Sequence, residues 1–342
     1  MSEYQPKNML VTGGAGFIGS NFIRYMLSTD KKINIINLDK LTYAGNLDNL
    51  KDLPKDLKGN SKYKFIHGDI CDFDMLDSIF QEYHIDTIIH FAAESHVDRS
   101  IIGPAEFVQT NIVGTFTLLE TARKYWLKNK NSNTENCRFH HISTDEVYGT
   151  LKKDDPPFTE TTQFAPNSPY SASKAASDHL VRSYLHTYDL PVIITNCSNN
   201  YGPYQNKEKF IPTVILACMN QQPIPVYGDG SNIRDWLHVI DHCKGIDTVF
   251  RKGVIGETYN IGGNFERANI DIVRIICRHM DEINPEKKPH ESLISFVPDR
   301  PGHDWRYAID TGKIERELGW RPVETFDTGI AKSIQWYGKQ IK

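Results

Sequence analysis

Thr12-Gly13-Gly14-Ala15-Gly16-Phe17-Ile18-Gly19 follows an apolar run, Met9 to Thr12, and opens a helical pattern that continues to Leu27. In a strand–turn–helix setting such glycines meet three physical needs: a tight turn, close approach of backbone to a pyrophosphate, and close packing of helix on strand. The phosphate then sits at the helix amino terminus. A glycine-rich turn also occurs in ordinary strand-to-helix connections, so the residues downstream decide its meaning. Asp39 ends the second apolar run, about twenty positions beyond Gly19, where a carboxylate accepts hydrogen bonds from an adenosine ribose and repels a 2′-phosphate. This favours NAD over NADP. Asp69-Ile70, after the third run, is placed to meet the adenine edge, although an Asp after a strand is often only a helix cap.

Outward from that turn, β-rich apolar runs alternate with helical patterns through the first 200 residues. The runs at Met9 to Thr12, Ile33 to Leu38, Lys64 to His67, Thr87 to Phe91, Phe139 to Ser143 and Val192 to Thr195 are nearly continuous, as strands covered on both faces require. Helices are expected at about Phe17 to Leu27, Asp72 to Tyr83, Pro104 to Asn129 and Pro169 to Tyr188. The expected fold class is α/β, a Rossmann-type doubly wound parallel sheet. Residues 1–200 form the cofactor domain, and 201–342 form mainly a smaller carboxy-terminal substrate-binding lobe that returns some elements to the first domain. Periodicity places Val108, Ile112, Phe116, Leu119 and Arg123 near one face of the third helix, and Ala172, Ala176, Leu180 and Tyr184 on one face of the fourth. Both faces are expected to cover the sheet, with a dimer interface as the other use of these helices. Lys128 to Asn136 reads as a polar surface loop.

A chain of 342 residues with net charge −4 and interspersed charges has no basic stripe to point to nucleic acid. The six cysteines, Cys71, Cys137, Cys197, Cys218, Cys243 and Cys277, show no paired spacing and read as reduced thiols. Neither a signal peptide nor a membrane span is visible, so a cytoplasmic location is expected.

Tyr170-Ser171-Ala172-Ser173-Lys174 puts a phenol and an ammonium one helical turn apart, where lysine favours the phenolate and tyrosine can take a hydroxyl proton as hydride leaves the attached carbon. Ser143-Thr144-Asp145-Glu146-Val147-Tyr148 adds two carboxyl groups that a simple dehydrogenase does not need. Adjacent side chains of a strand face opposite ways, so both can serve one substrate only if the strand has ended by Asp145. Without neighbouring motifs the pair would be a solvated loop.

With the glycine fingerprint, Tyr170 and Lys174 resemble the extended short-chain dehydrogenase/reductase superfamily. More narrowly, Phe91 to Ser100, Ser143 to Tyr148, Asn199 to Tyr204 and Asp299 to Asp304 resemble the dTDP-glucose 4,6-dehydratase family, and the resemblance runs from about Lys7 to the carboxy terminus. It implies oxidation of the sugar at C4 by NAD, removal of the C5 proton by Glu146, protonation of the leaving C6 hydroxyl by Asp145, and return of hydride to C6, with Thr144 bonding the reacting C4 oxygen. For the cofactor it implies Gly13, Gly16, Phe17, Ile18, Gly19, Asp39, Lys40, Thr42, Asp69, Ile70, Phe91, Ala92, Ala93, Ser95, Thr110, Tyr170, Lys174 and Asn199. For the nucleotide sugar it implies Ser95, Thr144, Asp145, Glu146, Asn199, Glu208, Lys209, Phe210, Pro225, Tyr227, Arg234, Asn269, Asp299, Arg300, His303 and Tyr307. Lys207 and Trp305 depart from the residues expected in bacterial members.

No metal is implied: His238 and His242 have helical metal-ligand spacing but Val239 stands where a metalloprotease glutamate would, and His140 and His141 face opposite sides of a strand. The family implies a homodimer. A nucleotide-sugar 4-epimerase, a dehydratase for UDP-glucose, and a non-catalytic NAD-binding regulator are the alternatives. The methyl group separating thymidine from uridine is worth only about 1 kcal/mol of burial, so the base preference stays open here.

Overall fold

A parallel strand buried on both faces must send alternate apolar residues to two separate cores. In the computed structural model, which describes residues 3–53, 62–127, 136–287, 289–299 and 303–341, β1 (Asn8–Thr12) does this: Met9 and Val11 join one core and Leu10 the other. β2 (Asn34–Asp39), β3 (Tyr63–His67), β4 (Thr87–His90), β5 (Arg138–Thr144) and β6 (Val192–Cys197) extend the sheet. β7 (Asn199–Tyr201), β8 (Ile224–Tyr227) and β9 (Ile233–His238) lie outside it, and β10 (Thr258–Ile261) returns to pair with β6. Among the described residues the central sheet has seven parallel strands in the order β10-β6-β5-β4-β1-β2-β3. The strand order reverses between β1 and β4, which opens the crevice where ligands of such sheets bind.

β10 lies outside the six strands expected from the sequence. Its run is four residues long and its pairing with β6 is set by the distant segment it follows, so no local signal marks it as a member of this sheet. Val249, Phe250, Ile314 and Trp320 also pack in the core that holds Met9 and Val11. Other carboxy-terminal apolar residues form a core of their own around Tyr201, Val214, Ile276 and Ile330. There β9 pairs with β7 and with β11 (Glu266–Ala268), and β8 pairs with β12 (Ile294–Val297).

Helices α1 (Phe17–Thr29) and α2 (Phe73–Tyr83) match the apolar periodicity, and Asp72 caps α2 by accepting from the Met75 amide at 3.0 Å. The third expected helix is not continuous. α3 (Val97–Ile102) and α4 (Pro104–Phe107) lead into a π-helical turn, Val108–Gly114, and then α5 (Thr115–Leu127). The wide turn carries Asn111 inward, where its side chain accepts from the Glu94 amide at 2.8 Å and donates to the Glu94 carbonyl and the Ser173 hydroxyl. One amide group thus clamps the loop after β4 to α6 (Pro169–Tyr188), a local irregularity of the kind that marks functional sites. The added residue also rotates the helix face: Phe107, Leu118, Leu119 and Ala122 are buried, while Val108 and Phe116, expected to cover the sheet, are about half exposed.

The face expected for α6 is shifted as well. Tyr184 is buried as expected and Ala176 and Leu180 are half-buried, but Ala172 is exposed, and the buried face centres on Tyr170, Lys174, Ser177, Asp178 and Val181. Apolar periodicity misplaced the centre of the face because the buried one is largely polar. The expected loop at Lys128 to Asn136 lies outside the described residues apart from Asn136.

Gly13 illustrates how tightly the first turn is built. Its φ is +70°, and an added Cβ would sit 2.7 Å from the Ala92 backbone. Gly13→Ala should therefore cost about 1–3 kcal/mol of strain and lower the thermal unfolding midpoint by several degrees. An unchanged midpoint in a melting experiment would contradict this packing.

Candidate active site

At the crevice, α1 begins at Gly16 with no side-chain cap, so its first amides keep no intrahelical partner and suit an anion. Asp39 at the end of β2 is oriented by two backbone donors, Ala15 at 2.9 Å and Leu41 at 2.8 Å. Burial raises its pKa and these two bonds oppose the rise. Asp69 pairs with Lys40 at 2.8 Å and accepts from the Cys71 amide, while the cap of α2 is Asp72, which leaves Asp69 to the cleft wall.

A cleft of about 320 Å³ runs from this turn to the end of β5, and all of the residues named above for the cofactor line it, from Gly13 and Asp39 to Thr110, Tyr170, Lys174 and Asn199. Asn199 Oδ1 is buried there without a partner among the described residues, as expected of an acceptor awaiting a ligand donor. The wall also includes Tyr43, Ala44, Gly45, Glu94, Cys197, Gln205 and Asn206, which sequence reading missed. Gly45 was the available signal: a Cβ there would meet Asp39 Oδ1 at 2.7 Å, so only glycine lets this loop fold over the aspartate.

The reacting end depends on where β5 stops. The strand closes at Thr144, and Asp145–Tyr148 form a 3₁₀ turn, so consecutive side chains no longer alternate between sheet faces. Thr144 caps the turn by accepting from the Glu146 amide at 3.3 Å, and its carbonyl accepts from Asn196 at 3.1 Å. Val147 and Tyr148 anchor the far end in a small core, Tyr148 donating to Asn260 on β10 at 3.0 Å. Gly149, with φ +93°, releases the chain from the turn. Thr144, Asp145, Glu146, Tyr170 and Lys174 consequently share the cleft.

Asp145 and Glu146 are neighbours in very different surroundings. Asp145 is 2 % exposed and Glu146 is partly exposed. Burial pushes the Asp145 carboxyl well above the ordinary carboxylate range, with Glu146 and then Asp235 adding to the rise, and its Oδ2 has no partner among the described residues. Asp145 is therefore pushed toward the neutral acid form beside a solvent-reached carboxyl group, a contrast set by environment. Burial also raises the Tyr170 phenol well above its usual value, Glu146 adds to this, and a hydrogen bond with Thr144 opposes it. A neutral Asp145 spares the phenol a second adjacent negative charge. Lys174 is buried, which lowers its pKa, and its Nζ donates to the Ile142 carbonyl at 2.9 Å.

Of the residues named for the sugar nucleotide, Ser95, Asn199 and Lys209 line this cleft with the catalytic group, Lys209 Nζ donating to the Ser95 carbonyl at 3.3 Å. Glu208 stands at its rim, held by Arg99 at 3.3 Å and within 3.8 Å of His96. The others, Phe210, Pro225, Tyr227, Arg234, Asn269, Asp299, His303 and Tyr307, do not line it. Phe210 opens α7 (Phe210–Asn220) and stacks with Trp236. His303 bonds Asp299 at 2.7 Å and meets the Tyr227 ring edge-on, and Asn269 opens a further helix beside β9. Arg234 is 5 % exposed; its fork donates to the Ile233 carbonyl at 2.7 Å and the Asp304 carbonyl at 2.9 Å, and its guanidinium lies over the Tyr307 ring. Burial raises the Tyr307 phenol and the charge of Glu146 adds to the rise, so this second group feels the Asp145–Glu146 turn. Arg300 lies outside the described residues.

Lys207 and Trp305, the two departures, act here through their carbonyls, which accept from Thr213 and from the Ile233 amide, so those contacts are open to side-chain change. His242 bonds Asn200 at 2.9 Å and His238 caps the helix that contains it, Val239–Lys252, while His140 bonds Thr195 on the sheet face opposite His141.

Glycine turn, tyrosine–lysine pair and carboxyl turn together define an extended short-chain dehydrogenase/reductase equipped for elimination. A family model described as GDP-mannose 4,6 dehydratase matches residues 10–333. The dTDP-glucose 4,6-dehydratase of Salmonella typhimurium is 55% identical over 337 residues, covering 96% of this chain and 92% of that protein. That of Neisseria meningitidis is 56% identical over 335 residues, covering 97% and 93%. The structure of DesIV, the dTDP-glucose 4,6-dehydratase of Streptomyces venezuelae, determined with NAD bound, is 44% identical with a TM-score of 0.87 and 97% of each chain covered. The chain belongs to the dTDP-glucose 4,6-dehydratase family.

The neutral acid has a cost that can be measured. A carboxyl whose pKa is raised by folding lends stability that is full below its unfolded value and is lost as pH rises through the folded value. Asp145→Asn, which stays neutral, should be more stable than the native protein in urea unfolding at pH 8, with the difference shrinking toward pH 5. A native protein at least as stable as the variant at pH 8 would show that Asp145 is not held neutral.

Proposed function

We infer that the protein converts dTDP-glucose to dTDP-4-keto-6-deoxy-glucose and water, as an NAD-dependent 4,6-dehydratase. The observation that carries this is the 3₁₀ turn after β5, which puts a buried neutral carboxyl, Asp145, and a partly exposed one, Glu146, in one cleft with Tyr170 and Lys174. An epimerase on this fold needs only the tyrosine and lysine, because hydride returns to the carbon it left.

The glycine turn, the α1 amino terminus and Asp39 fit NAD, and Asp39 disfavours a 2′-phosphate. When bound, NAD takes hydride from C4 and later gives it to C6. Tyr170 takes the proton of the C4 hydroxyl, with Thr144 bonding the same oxygen. Oxidation at C4 acidifies C5, and Glu146 removes that proton. Asp145 then supplies a proton to the C6 hydroxyl, which leaves as water, and its burial is what keeps that proton available at neutral pH. As hydride returns to C6, Glu146 gives a proton back to C5, and the proton held by Tyr170 replaces the one that Asp145 lost. Lys209, Asn199, Glu208 and the Arg234–Tyr307 group hold the sugar nucleotide in this reading.

Incubation with dTDP-, UDP-, CDP- and GDP-glucose tests it. The dTDP sugar should be preferred and should give a base-sensitive 4-keto product absorbing near-ultraviolet light; formation of dTDP-galactose alone would overturn the assignment. Glu146→Gln should still oxidise C4 but slow elimination at least tenfold, so that reduced cofactor accumulates, whereas Tyr170→Phe should accumulate none.

The same reading includes a homodimer in the cytoplasm, the latter consistent with six free thiols. Among the described residues no helix is long and apolar enough to cross a membrane. Val108, Val113 and Phe116 leave an exposed apolar strip on the π turn and α5, beside the exposed Ala172 of α6, and a second copy is the partner we assign to it. Val113→Glu with Phe116→Glu should yield a folded monomer in sedimentation velocity. An unchanged species would place the interface elsewhere.

A further inference from the structure

Beneath the cleft lies a cluster of buried polar side chains of which the reaction above uses only Lys174. His141 and Ser143, alternate residues of β5, share one sheet face, and Lys174 and Asp178 are one turn apart on α6 facing them. His141 Nε2 is 3.2 Å from Asp178 Oδ1 and 3.5 Å from Lys174 Nζ, and the Ser143 hydroxyl donates to Asp178 Oδ2 at 2.9 Å. Exposures of 0 %, 3 % and 4 % for His141, Asp178 and Lys174 exclude bulk solvent.

The His141 ring thus stands within 3.5 Å of both Asp178 and Lys174, and burial disfavours its charged form. That bridge holds the carboxyl and the amine close together away from solvent, where charges act strongly on one another. The Ser143 hydroxyl supplies the hydrogen bond that orients the carboxyl.

We propose that Asp178, oriented by Ser143 and held near Lys174 across the His141 ring, is a positioning residue for the reaction: its carboxylate keeps the buried Lys174 amine protonated behind Tyr170. Asp178 also faces His179 on its own helix, Asn196 on β6 and Tyr148 on the 3₁₀ turn, and Lys174 is the strongest charge acting on it. Burial raises its pKa to about 7, so its full negative charge acts on Lys174 only above neutrality. Burial pulls Lys174 down and Asp178 is the first charge opposing that fall. Asp178 is not among the groups that act on Tyr170 directly, so its effect on the phenol is indirect.

The inference rests on the dehydratase assignment, and the experiment separates the two. In Glu146→Gln holoenzyme, rapid mixing with dTDP-glucose isolates the first hydride transfer as the rise of reduced cofactor. Adding Asp178→Asn should move the alkaline limb of that rate down by one pH unit or more and slow it at least tenfold at pH 8, with the substrate concentration at half-saturation changed less than twofold. An unmoved limb overturns the proposal, whether the rate is unchanged or uniformly lower, since packing alone would lower it evenly. If Asp178→Asn does not fold, Ser143→Ala removes one donor to the carboxylate and should shift the limb in the same direction by less; no shift again overturns it. Absence of reduced cofactor with any nucleotide-glucose in Glu146→Gln overturns the dehydratase reading, and the proposal falls with it.

Discussion

Adjacent residues of a β-strand point to opposite sides of the sheet, and the site depends on β5 escaping that constraint at Thr144. The escape is enforced from both ends. Thr144 accepts from the Glu146 amide and is held by Asn196, while Val147 and Tyr148 are buried in a core shared with Phe158 and Tyr307.

Burial is therefore used as chemistry. The same desolvation that holds Asp145 neutral opposes ionisation of Tyr170 and of Lys174. Three titratable groups in one dry cleft cannot all carry charge freely, and each is balanced by a different neighbour: Thr144 for Tyr170, Asp178 for Lys174, and protonation for Asp145. Such sites sacrifice stability for function, and the surrounding seven-stranded sheet supplies the rigidity that holds them in place.

Much of this was legible in the chain. The glycine turn, Asp39, and the Tyr170–Lys174 spacing located the cofactor cleft because each is a short-range pattern whose geometry follows from one turn or one helix. The outward faces of α5 and α6 were misread for a physical reason: a π turn at Val108–Gly114 changes the helical phase, and the buried face of α6 is polar. Asn111, Gln205 and Asn206 carry no local signature at all; they matter through their place in the folded structure.

The sequence by itself determined the α/β class, the cofactor type and the presence of two carboxyls beyond the redox pair, because strand period, helix period and loop chemistry are local. Only the tertiary structure decided which carboxyl is neutral, that β10 completes the sheet, that the Arg234 fork braces backbone carbonyls of the 304 turn, and that Asp178 stands behind Lys174. Desolvation and charge balance are summed over everything that packs around a group, and those neighbours come from all parts of the chain.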